Sequence, residues 1–216
     1  MSDVRVKICG LNSEAAFDAA VAAGADWVGF VFFPPSPRFV TPARAASLSA
    51  RLSGGPPRVG LFVAPSEAAI AEVLASVPLD ILQVYGAVDP AALRARFGRT
   101  VWRAVGIFAA SDLPREMGGA DALLLDAKPP KDATRPGGNA LPFDWGIMRG
   151  WAAPGPWLLA GGLTVENVAE AMRVTTAPAV DVSSGVESAP GLKDPDLIRA
   201  FVEEVRRQNV TFSPSP

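Results

Sequence analysis

Regular structure begins in the stretch Val4-Arg5-Val6-Lys7-Ile8-Cys9-Gly10-Leu11. Its first three aliphatic residues alternate with Arg5, Lys7 and Cys9, and a period of two places these two sets on opposite faces of a β-strand. The strand ends at Cys9, the only cysteine of the chain, and Gly10 follows it. A strand with ionisable groups on one face and aliphatic groups on the other is expected to lie between an apolar layer and an enclosed polar space.

Helical and strand patterns alternate along the whole chain. The sequence predicts eight strands, over residues 4–9, 27–32, 59–63, 80–84, 100–105, 122–125, 157–160 and 179–182. A helix is predicted after each strand, including short helices at 111–117 and 144–151 and a closing helix at 194–208. The longest irregular segment is expected at 127–142, and a loose tail at about 209–216.

This alternation predicts the fold. Repeated β-α units imply a parallel sheet whose strands are buried on both faces and are therefore apolar. Eight units are the number that closes a (β/α)8 TIM barrel, so the sequence predicts a single α/β barrel domain over residues 1–216. An open doubly wound sheet is the alternative, and the absence of a Gly-x-Gly-x-x-Gly turn after the first strand argues against it.

The composition is that of a soluble globular protein. Hydrophobic residues make up 49% of the 216 residues, charged residues make up 19%, and the net charge is −2. We therefore expect no nucleic-acid surface and no membrane-binding face. The first residues lack the basic and apolar segments of a signal peptide, which makes a cytoplasmic location the expectation.

The single cysteine and the absence of histidine exclude several kinds of site. One cysteine cannot form an internal disulfide or a thiolate metal cluster. A chain without histidine has no Ser-His-Asp or Cys-His nucleophile pair and no histidine metal site. We predict no metal, and an enzyme of this composition must use Cys, Asp, Glu, Lys or Tyr, or a bound cofactor, to transfer protons.

Two glycine-bearing turns follow the last two predicted strands. Gly161-Gly162 comes after the seventh strand, and Ser183-Ser184-Gly185 after the eighth. Backbone amides freed by glycine, together with a helix start, suit a phosphate dianion, and these two loops are the habitual phosphate site of a (β/α)8 barrel. The alternative is that the glycines only make tight left-handed turns. The presence of both turns favours the phosphate site.

Cys9 is a candidate general base. Lys7 lies two residues earlier on the same face, roughly 7 Å along the strand, and a cation there favours the thiolate. Asp181 lies in the eighth strand, which neighbours the first once the barrel closes, so we expect a Lys7–Asp181 ion pair inside the barrel. Lys7 and Asp181 are also expected among the substrate-binding residues. The alternative for Cys9 is an inert buried thiol.

Asp126 and Arg38 are the other charged candidates. Asp126 ends an apolar strand, where the pKa of a carboxyl should rise, and a raised pKa suits a general acid. Its alternative role is to cap the next turn. Arg38 lies in a proline-stiffened loop, and its guanidinium is suited to bind a substrate carboxylate through two parallel hydrogen bonds. The alternative is that Arg38 is a solvated surface arginine. Gln83 and Tyr85 are weaker candidates for the mouth of the site.

Five groups of motifs, in one order and register from Val4 to about Arg206, resemble a known family. They are Lys7-Ile8-Cys9-Gly10-Leu11; Gly29-Phe30-Val31-Phe32 with Ser36-Pro37-Arg38; Leu124-Leu125-Asp126; Leu159-Ala160-Gly161-Gly162-Leu163 with Glu166-Asn167-Val168; and Asp181-Val182-Ser183-Ser184-Gly185-Val186-Glu187 with Gly191-Leu192-Lys193-Asp194. Their combination closely resembles the phosphoribosylanthranilate isomerases of tryptophan biosynthesis.

The resemblance implies an enzyme without a cofactor that converts N-(5-phosphoribosyl)anthranilate to 1-(2-carboxyphenylamino)-1-deoxyribulose 5-phosphate, an Amadori rearrangement. By the same resemblance, Asp126 is the general acid that protonates the furanose ring oxygen, and Cys9 is the general base that removes the C2′ proton. Arg38 resembles the residue that faces the anthranilate carboxylate, and the glycine turns resemble the phosphate loops. The expected partner is a small phosphoribosyl substrate, and the chain is expected to be a monomer or a homodimer.

Two segments depart from the usual pattern of that family. The usual Gln-Leu-His-Gly after the fourth strand is Gln83-Val84-Tyr85-Gly86 here, and the usual Gly-Gly-Thr-Gly after the sixth is Gly137-Gly138-Asn139-Ala140. The expected proton transfers need no histidine. Ala140, however, cannot adopt the positive φ of glycine at low cost.

Two other functions are compatible with such a barrel. The first is that of the related aldose–ketose isomerase of the histidine pathway, which acts on a phosphoribosyl carboxamide. That chemistry is usually associated with an aspartate at the end of the first strand, where this chain has Cys9. The second is a non-catalytic barrel that binds phosphorylated sugars, which needs the glycine turns but does not need Cys9 and Asp126 together.

Overall fold

Eight parallel strands close into a barrel in chain order, in a computed structural model that describes residues 3–128 and 143–212. The strands are β1 (Arg5–Cys9), β2 (Trp27–Val31), β3 (Arg58–Val63), β4 (Ile81–Tyr85), β5 (Thr100–Ile107), β6 (Ala122–Ala127), β7 (Trp157–Leu159) and β8 (Ala179–Val182). Pairing of β1 with β8 closes the ring and places Lys7 opposite Asp181. The predicted (β/α)8 barrel is confirmed.

The described residues contain six α-helices: α1 (Glu14–Ala22), α2 (Pro42–Ser49), α3 (Glu67–Leu74), α4 (Pro90–Phe97), α5 (Val168–Thr175) and α6 (Pro195–Phe212). The first four begin after a short polar side chain that accepts a hydrogen bond from a backbone N–H of the first turn, which is a strong sequence signal for a helix start. These N-caps are Ser13, Thr41, Ser66 and Asp89. No helix in this part of the chain is both long enough and apolar enough to cross a bilayer.

The helices predicted at 111–117 and 144–151 are wrong. The structure has only short 3-10 helices in these regions, at Ala110–Asp112 and Trp145–Met148. A proline in the middle of the first segment forces the residue before it, Leu113, into the extended region at ψ 125°. Two glycines interrupt the second segment, and each lowers helix stability by up to about 1 kcal/mol relative to alanine.

The C-terminal part of the barrel contains two further differences from the prediction. An unpredicted antiparallel hairpin, β9 (Glu187–Ala189) and β10 (Leu192–Lys193), follows β8. The last helix, α6, continues to Phe212, so the first residues of the predicted tail are helical. Asn209 in this extension accepts a hydrogen bond from the Val4 N–H at 2.9 Å and donates one to the Val4 carbonyl at 3.2 Å. Residues 213–216 and most of the predicted irregular segment lie outside the described residues.

Apolar side chains form two separate layers. Outward-facing strand residues such as Val6 and Ile8 belong to the main core with residues of the helices. A second cluster fills the interior of the barrel near the amino ends of the strands: Trp27, Val59, Ile81, Trp102, Ala122, Leu158 and Ala179. This cluster fills the barrel at the amino ends of the strands, so the open end is the one at the carboxyl ends, where such barrels carry their sites.

Candidate active site

A cavity of about 620 Å³, including the part open to solvent, lies at the carboxyl ends of the strands. Eight of the ten residues predicted to be catalytic or substrate-binding line it: Cys9, Arg38, Asp126, Gly161, Gly162, Asp181, Ser183 and Ser184. The thiol of β1 and the carboxyl of β6, far apart in the chain, therefore share one cavity. Lys7 and Gly185 are not among the lining residues, and Lys7 is fully buried.

The predicted ion pair inside the barrel is present. Lys7 Nζ lies 2.7 Å from Asp181 Oδ1. Burial lowers the pKa of Lys7, but attraction to Asp181 and to Cys9 outweighs burial and raises that pKa above its ordinary value. Gly29 on the neighbouring strand makes room for this arrangement, because a Cβ at that position would lie 3.1 Å from Cys9 Sγ and 3.3 Å from Lys7 Cε.

The Cys9 thiol is harder to ionise than the sequence predicts. Burial raises the pKa of Cys9, and the Asp181 carboxylate raises it further, while Lys7 lowers it. Lys7 thus acts on the thiol in the predicted direction, but the loss of solvation is the larger effect. The thiolate is therefore a minor species at neutral pH, held beside a permanent cation.

Asp126 has the raised pKa that the sequence predicts. Burial raises the pKa of Asp126 to about 7, against a hydrogen bond from Tyr85 that lowers it. The Tyr85 hydroxyl donates that bond to Asp126 Oδ2 at 2.9 Å. At neutral pH the carboxyl is thus divided between its acid and ionised forms, as suits a general acid.

The turn after β7 requires both glycines. Gly161 has φ +90° and Gly162 has φ +63°, in the left-handed region that favours glycine. A Cβ on Gly161 would also lie 2.5 Å from the Ala127 backbone nitrogen. Asn167 holds the loop by donating to the Gly162 carbonyl at 2.9 Å and accepting from the Thr164 N–H at 2.8 Å. Both glycines are therefore needed to form this tight left-handed turn, and the turn also lines the cavity.

The turn after β8 packs against the turn after β7. A Cβ on Gly185 would lie 1.8 Å from the backbone oxygen of Leu163, so this glycine is required by close backbone approach. Ser183 donates from Oγ to the Cys9 carbonyl at 3.2 Å, which connects the turn to the end of β1. The two predicted phosphate turns thus form one continuous edge of the cavity.

Arg38 lines the cavity but already has a carboxylate partner. Its Nε and Nη2 atoms bind the two oxygens of Glu187 at 2.6 Å and 2.9 Å. Lys193 is also buried and donates to Glu187 Oε1 at 2.8 Å and to the Ser183 carbonyl at 2.8 Å. Burial alone would raise the pKa of Glu187, but the two cations outweigh it and lower that pKa. Burial lowers the pKa of Lys193 to about 8, although the Glu187 carboxylate acts in the opposite direction and raises that pKa.

Sequence reasoning missed two members of the site and the contact that a third makes. Glu187 and Lys193 lie in the motifs that carry the family resemblance, but nothing in their spacing shows that Glu187 binds both Arg38 and Lys193. Tyr85 was expected only at the mouth and instead contacts the candidate acid. Gln83 is fully buried and is not among the lining residues. The departure at Gly137-Gly138-Asn139-Ala140 lies outside the described residues.

The described residues offer no group of three or more His, Cys, Asp or Glu side chains that could hold a metal ion. What the cavity brings together is a buried thiol beside a lysine, a carboxyl with a pKa of about 7, and two glycine turns. This set can supply a general base, a general acid and a site for an anion.

Known proteins of one family match the chain over nearly its whole length. The family model for N-(5'phosphoribosyl)anthranilate (PRA) isomerase matches residues 6–204. The N-(5'-phosphoribosyl)anthranilate isomerase of Acidiphilium cryptum is 60% identical over 201 residues, covering 92% of this chain and 96% of that protein. The enzyme of the same name from Paracoccus denitrificans is 58% identical over 205 residues, covering 92% and 95%.

Solved structures agree with this match. The phosphoribosyl anthranilate isomerase of Thermotoga maritima is 36% identical, with a TM-score of 0.83 and coverage of 94% of this chain and 99% of that chain. A further phosphoribosyl anthranilate isomerase, solved in complex with reduced 1-(o-carboxyphenylamino)-1-deoxyribulose 5-phosphate, is 35% identical with a TM-score of 0.80 and the same coverage. The chain belongs to the N-(5'-phosphoribosyl)anthranilate isomerase family.

Proposed function

We propose that Cys9 and Asp126 are the general base and the general acid with which this isomerase of tryptophan biosynthesis rearranges N-(5-phosphoribosyl)anthranilate. The observation that carries the proposal is that the thiol and the carboxyl line one cavity, beside the two glycine turns. The product is 1-(2-carboxyphenylamino)-1-deoxyribulose 5-phosphate.

In the first step Asp126 gives its proton to the furanose ring oxygen. The bond between C1′ and that oxygen breaks, and the anilino nitrogen supplies the electron pair that forms an iminium. Asp126 is left as a carboxylate, which accepts the hydrogen bond from Tyr85. A carboxyl with a pKa of about 7 suits this step because it is a strong enough acid and is still partly protonated at neutral pH.

In the second step the Cys9 thiolate removes the C2′ proton. The C–H electrons form the C1′–C2′ double bond of an enolamine, and the iminium nitrogen becomes neutral. The enolamine then tautomerises to the ketone, with a proton added at C1′ and one lost from the C2′ hydroxyl. The enzyme is left with a thiol and a carboxylate, and moving one proton from Cys9 to Asp126 restores the active form.

The remaining residues position the substrate in this proposal. The phosphate binds to the edge formed by Gly161-Gly162 and Ser183-Ser184-Gly185, and the anthranilate carboxylate binds to the free side of the Arg38 guanidinium. Asp181 lines the cavity and can contact the sugar directly. Lys7 acts through Asp181 and Cys9, because its ammonium is fully buried behind them.

The protonation states have a kinetic consequence. The active form has Asp126 protonated and Cys9 ionised, although the acid has the lower pKa of the two groups. Below the pKa of Asp126, turnover rises with pH as thiolate forms. Between the two pKa values, the gain in thiolate is cancelled by the loss of protonated Asp126, and above the pKa of Cys9 turnover falls. The lower limb of the pH profile therefore reports Asp126, and the upper limb reports Cys9.

The test is a pair of variants assayed by the fluorescence change on consumption of anthranilate ribotide. We expect Cys9→Ser and Asp126→Asn each to lower kcat by about 10²–10⁴-fold, the usual contribution of one proton-transfer group. Binding of the reduced product analogue should stay largely intact, which shows that the cavity is still formed. Asp18→Asn, at an exposed ion pair, is the matched control. Near-normal turnover in either site variant would refute the assignment.

The role of Arg38 is tested separately. Arg38→Ala should weaken binding of analogues that carry the anthranilate carboxylate more than binding of analogues that lack it, because only the former use the guanidinium. Equal loss for both kinds of analogue would show that Arg38 acts only through Glu187. Titration of the two analogues into the purified variant measures the difference.

A further inference from the structure

Tyr85 contacts the candidate acid directly. It is the last residue of β4, and its side chain lines the cavity while remaining only 8% exposed. Its hydroxyl lies 2.9 Å from Asp126 Oδ2, and both side chains are buried. Tyr85 is the only tyrosine of the chain.

The tyrosine keeps its own proton over the pH range in which Asp126 titrates. Burial raises the pKa of Tyr85 well above 10, and repulsion from Asp126, Asp181 and Cys9 adds to that effect. A phenol that keeps its proton next to an ionising carboxyl donates to it. Once Asp126 has given up its proton, its Oδ2 therefore accepts from the Tyr85 hydroxyl.

The other oxygen of Asp126 faces the proposed phosphate edge. A Cβ built on Gly161 would lie 3.2 Å from Asp126 Oδ1, which places this oxygen next to the turn after β7. The contact with Tyr85 thus holds Oδ2 on the tyrosine side and leaves Oδ1 on the side of the turn after β7. The hydrogen bond fixes which way the two oxygens point.

Four other groups face the Asp126 carboxyl or its tyrosine partner. Asp181 on β8 raises the pKa of Asp126, while Lys7 on β1 and the Ala127 N–H lower it. Cys9 on β1 faces Tyr85.

We propose that Tyr85 is a positioning residue for Asp126: the Tyr85 hydroxyl fixes the rotation of the carboxyl, keeps Oδ1 toward the turn after β7, and stabilises the carboxylate formed when the ring oxygen takes the proton. This inference rests on the proposed function of Asp126. The stabilisation is electrostatic and preorganised, because the donor is already in place before the charge develops.

The first experiment is the pH profile of kcat/KM for Tyr85→Phe, which removes only the hydroxyl. Loss of a hydrogen bond that favours the ionised form raises the pKa of Asp126, so the lower limb should move to higher pH. The expected shift is roughly 0.7 pH unit, a change of about fivefold in the acid dissociation constant, because a hydrogen bond to the charged carboxylate is stronger than one to the neutral acid. Val63→Ala, which alters the lining residue paired with Tyr85, should leave the limb in place.

The second experiment needs no turnover. Because Tyr85 is the only tyrosine, incorporation of tyrosine labelled with ¹³C at Cζ gives a single NMR signal from this site. In the unmodified enzyme the signal should titrate with a midpoint near pH 7, following Asp126. In Asp126→Asn this titration should disappear. A signal that does not change around pH 7, or that titrates equally in both proteins, overturns the inference even if Tyr85→Phe does not fold.

The two proposals fail in different ways. If Asp126→Asn is inactive and the lower limb of the pH profile of Tyr85→Phe does not move, the inference about Tyr85 is wrong and the function of Asp126 stands. If Asp126→Asn retains normal turnover, the proposed acid is wrong, and the positioning role falls with it whatever the NMR titration shows. A shifted limb together with a titration that depends on Asp126 supports both.

Discussion

Replacing Lys7 with methionine should cost this protein a large part of its stability. Lys7 Nζ lies 2.7 Å from Asp181 Oδ1, and the two side chains are 0% and 8% exposed. Methionine fills much of the lysine volume but leaves the Asp181 carboxylate inside the barrel without its cation. Removing one partner of a buried ion pair destabilises a protein by about 3–5 kcal/mol, because a buried charge is left uncompensated.

The assay is equilibrium unfolding in urea at pH 7, followed by the fluorescence of the five tryptophans. Arg51→Met is the matched control, because it breaks the Arg51–Asp18 pair, whose side chains are 40% and 50% exposed. An exposed pair contributes about 0–1 kcal/mol. The double variant Lys7→Met/Asp181→Asn should be destabilised by much less than the sum of its two single variants, because neither charge is then left alone.

A loss of less than about 1 kcal/mol for Lys7→Met, equal to that of the exposed control, would refute this reasoning. It would mean that water enters the barrel and solvates Asp181 in the variant. Additive losses in the double variant would likewise show that the two charges do not stabilise one another in the folded state.

Three further outcomes are expected. The pH profile of kcat/KM should rise to about pH 7, where Asp126 ionises, and fall only above the ordinary pKa of Cys9. If the lower limb stays in place in Asp126→Glu, ionisation of Asp126 is not its cause. Arg58→Ala removes hydrogen bonds to four backbone carbonyls before β3, and urea unfolding should show a loss of about 2–3 kcal/mol, as for bonds to a charged group. Gly185→Ala would place a Cβ 1.8 Å from a backbone oxygen of the neighbouring turn, so inhibition by inorganic phosphate should weaken at least about tenfold, a loss of roughly 1.4 kcal/mol. Gly106→Ala, whose Cβ meets nothing closer than 3.4 Å, should leave phosphate inhibition unchanged.

Local chemistry was enough to predict most of the fold. Short polar side chains cap the first four helices, and apolar runs between turns located all eight strands. The errors arose where a local signal was overridden: helix-forming residues at 111–117 surround Pro114, which excludes the α region at Leu113. The hairpin of β9 and β10 was missed because these strands have three and two residues, which is too short for a period-two alternation to be recognised.

The site was predictable to the extent that the barrel itself determines it. Parallel strands in a closed barrel bring their carboxyl ends to one rim, so Cys9 and Asp126 had to approach each other once the fold was known. The Lys7–Asp181 pair followed from the same closure, which makes β8 the neighbour of β1. These conclusions need only strand order and the alternation of side chains.

By itself the sequence determined the barrel and the residues at its rim, because propensity, capping and period-two alternation are local properties of the chain. Only the tertiary structure decided how those residues are paired. Arg38 binds Glu187, 149 residues away, and Tyr85 binds Asp126, 41 residues away. The physical reason is that a hydrogen bond or a shifted pKa depends on side-chain direction and on the loss of water at distances of a few ångströms, which no pattern along the chain records.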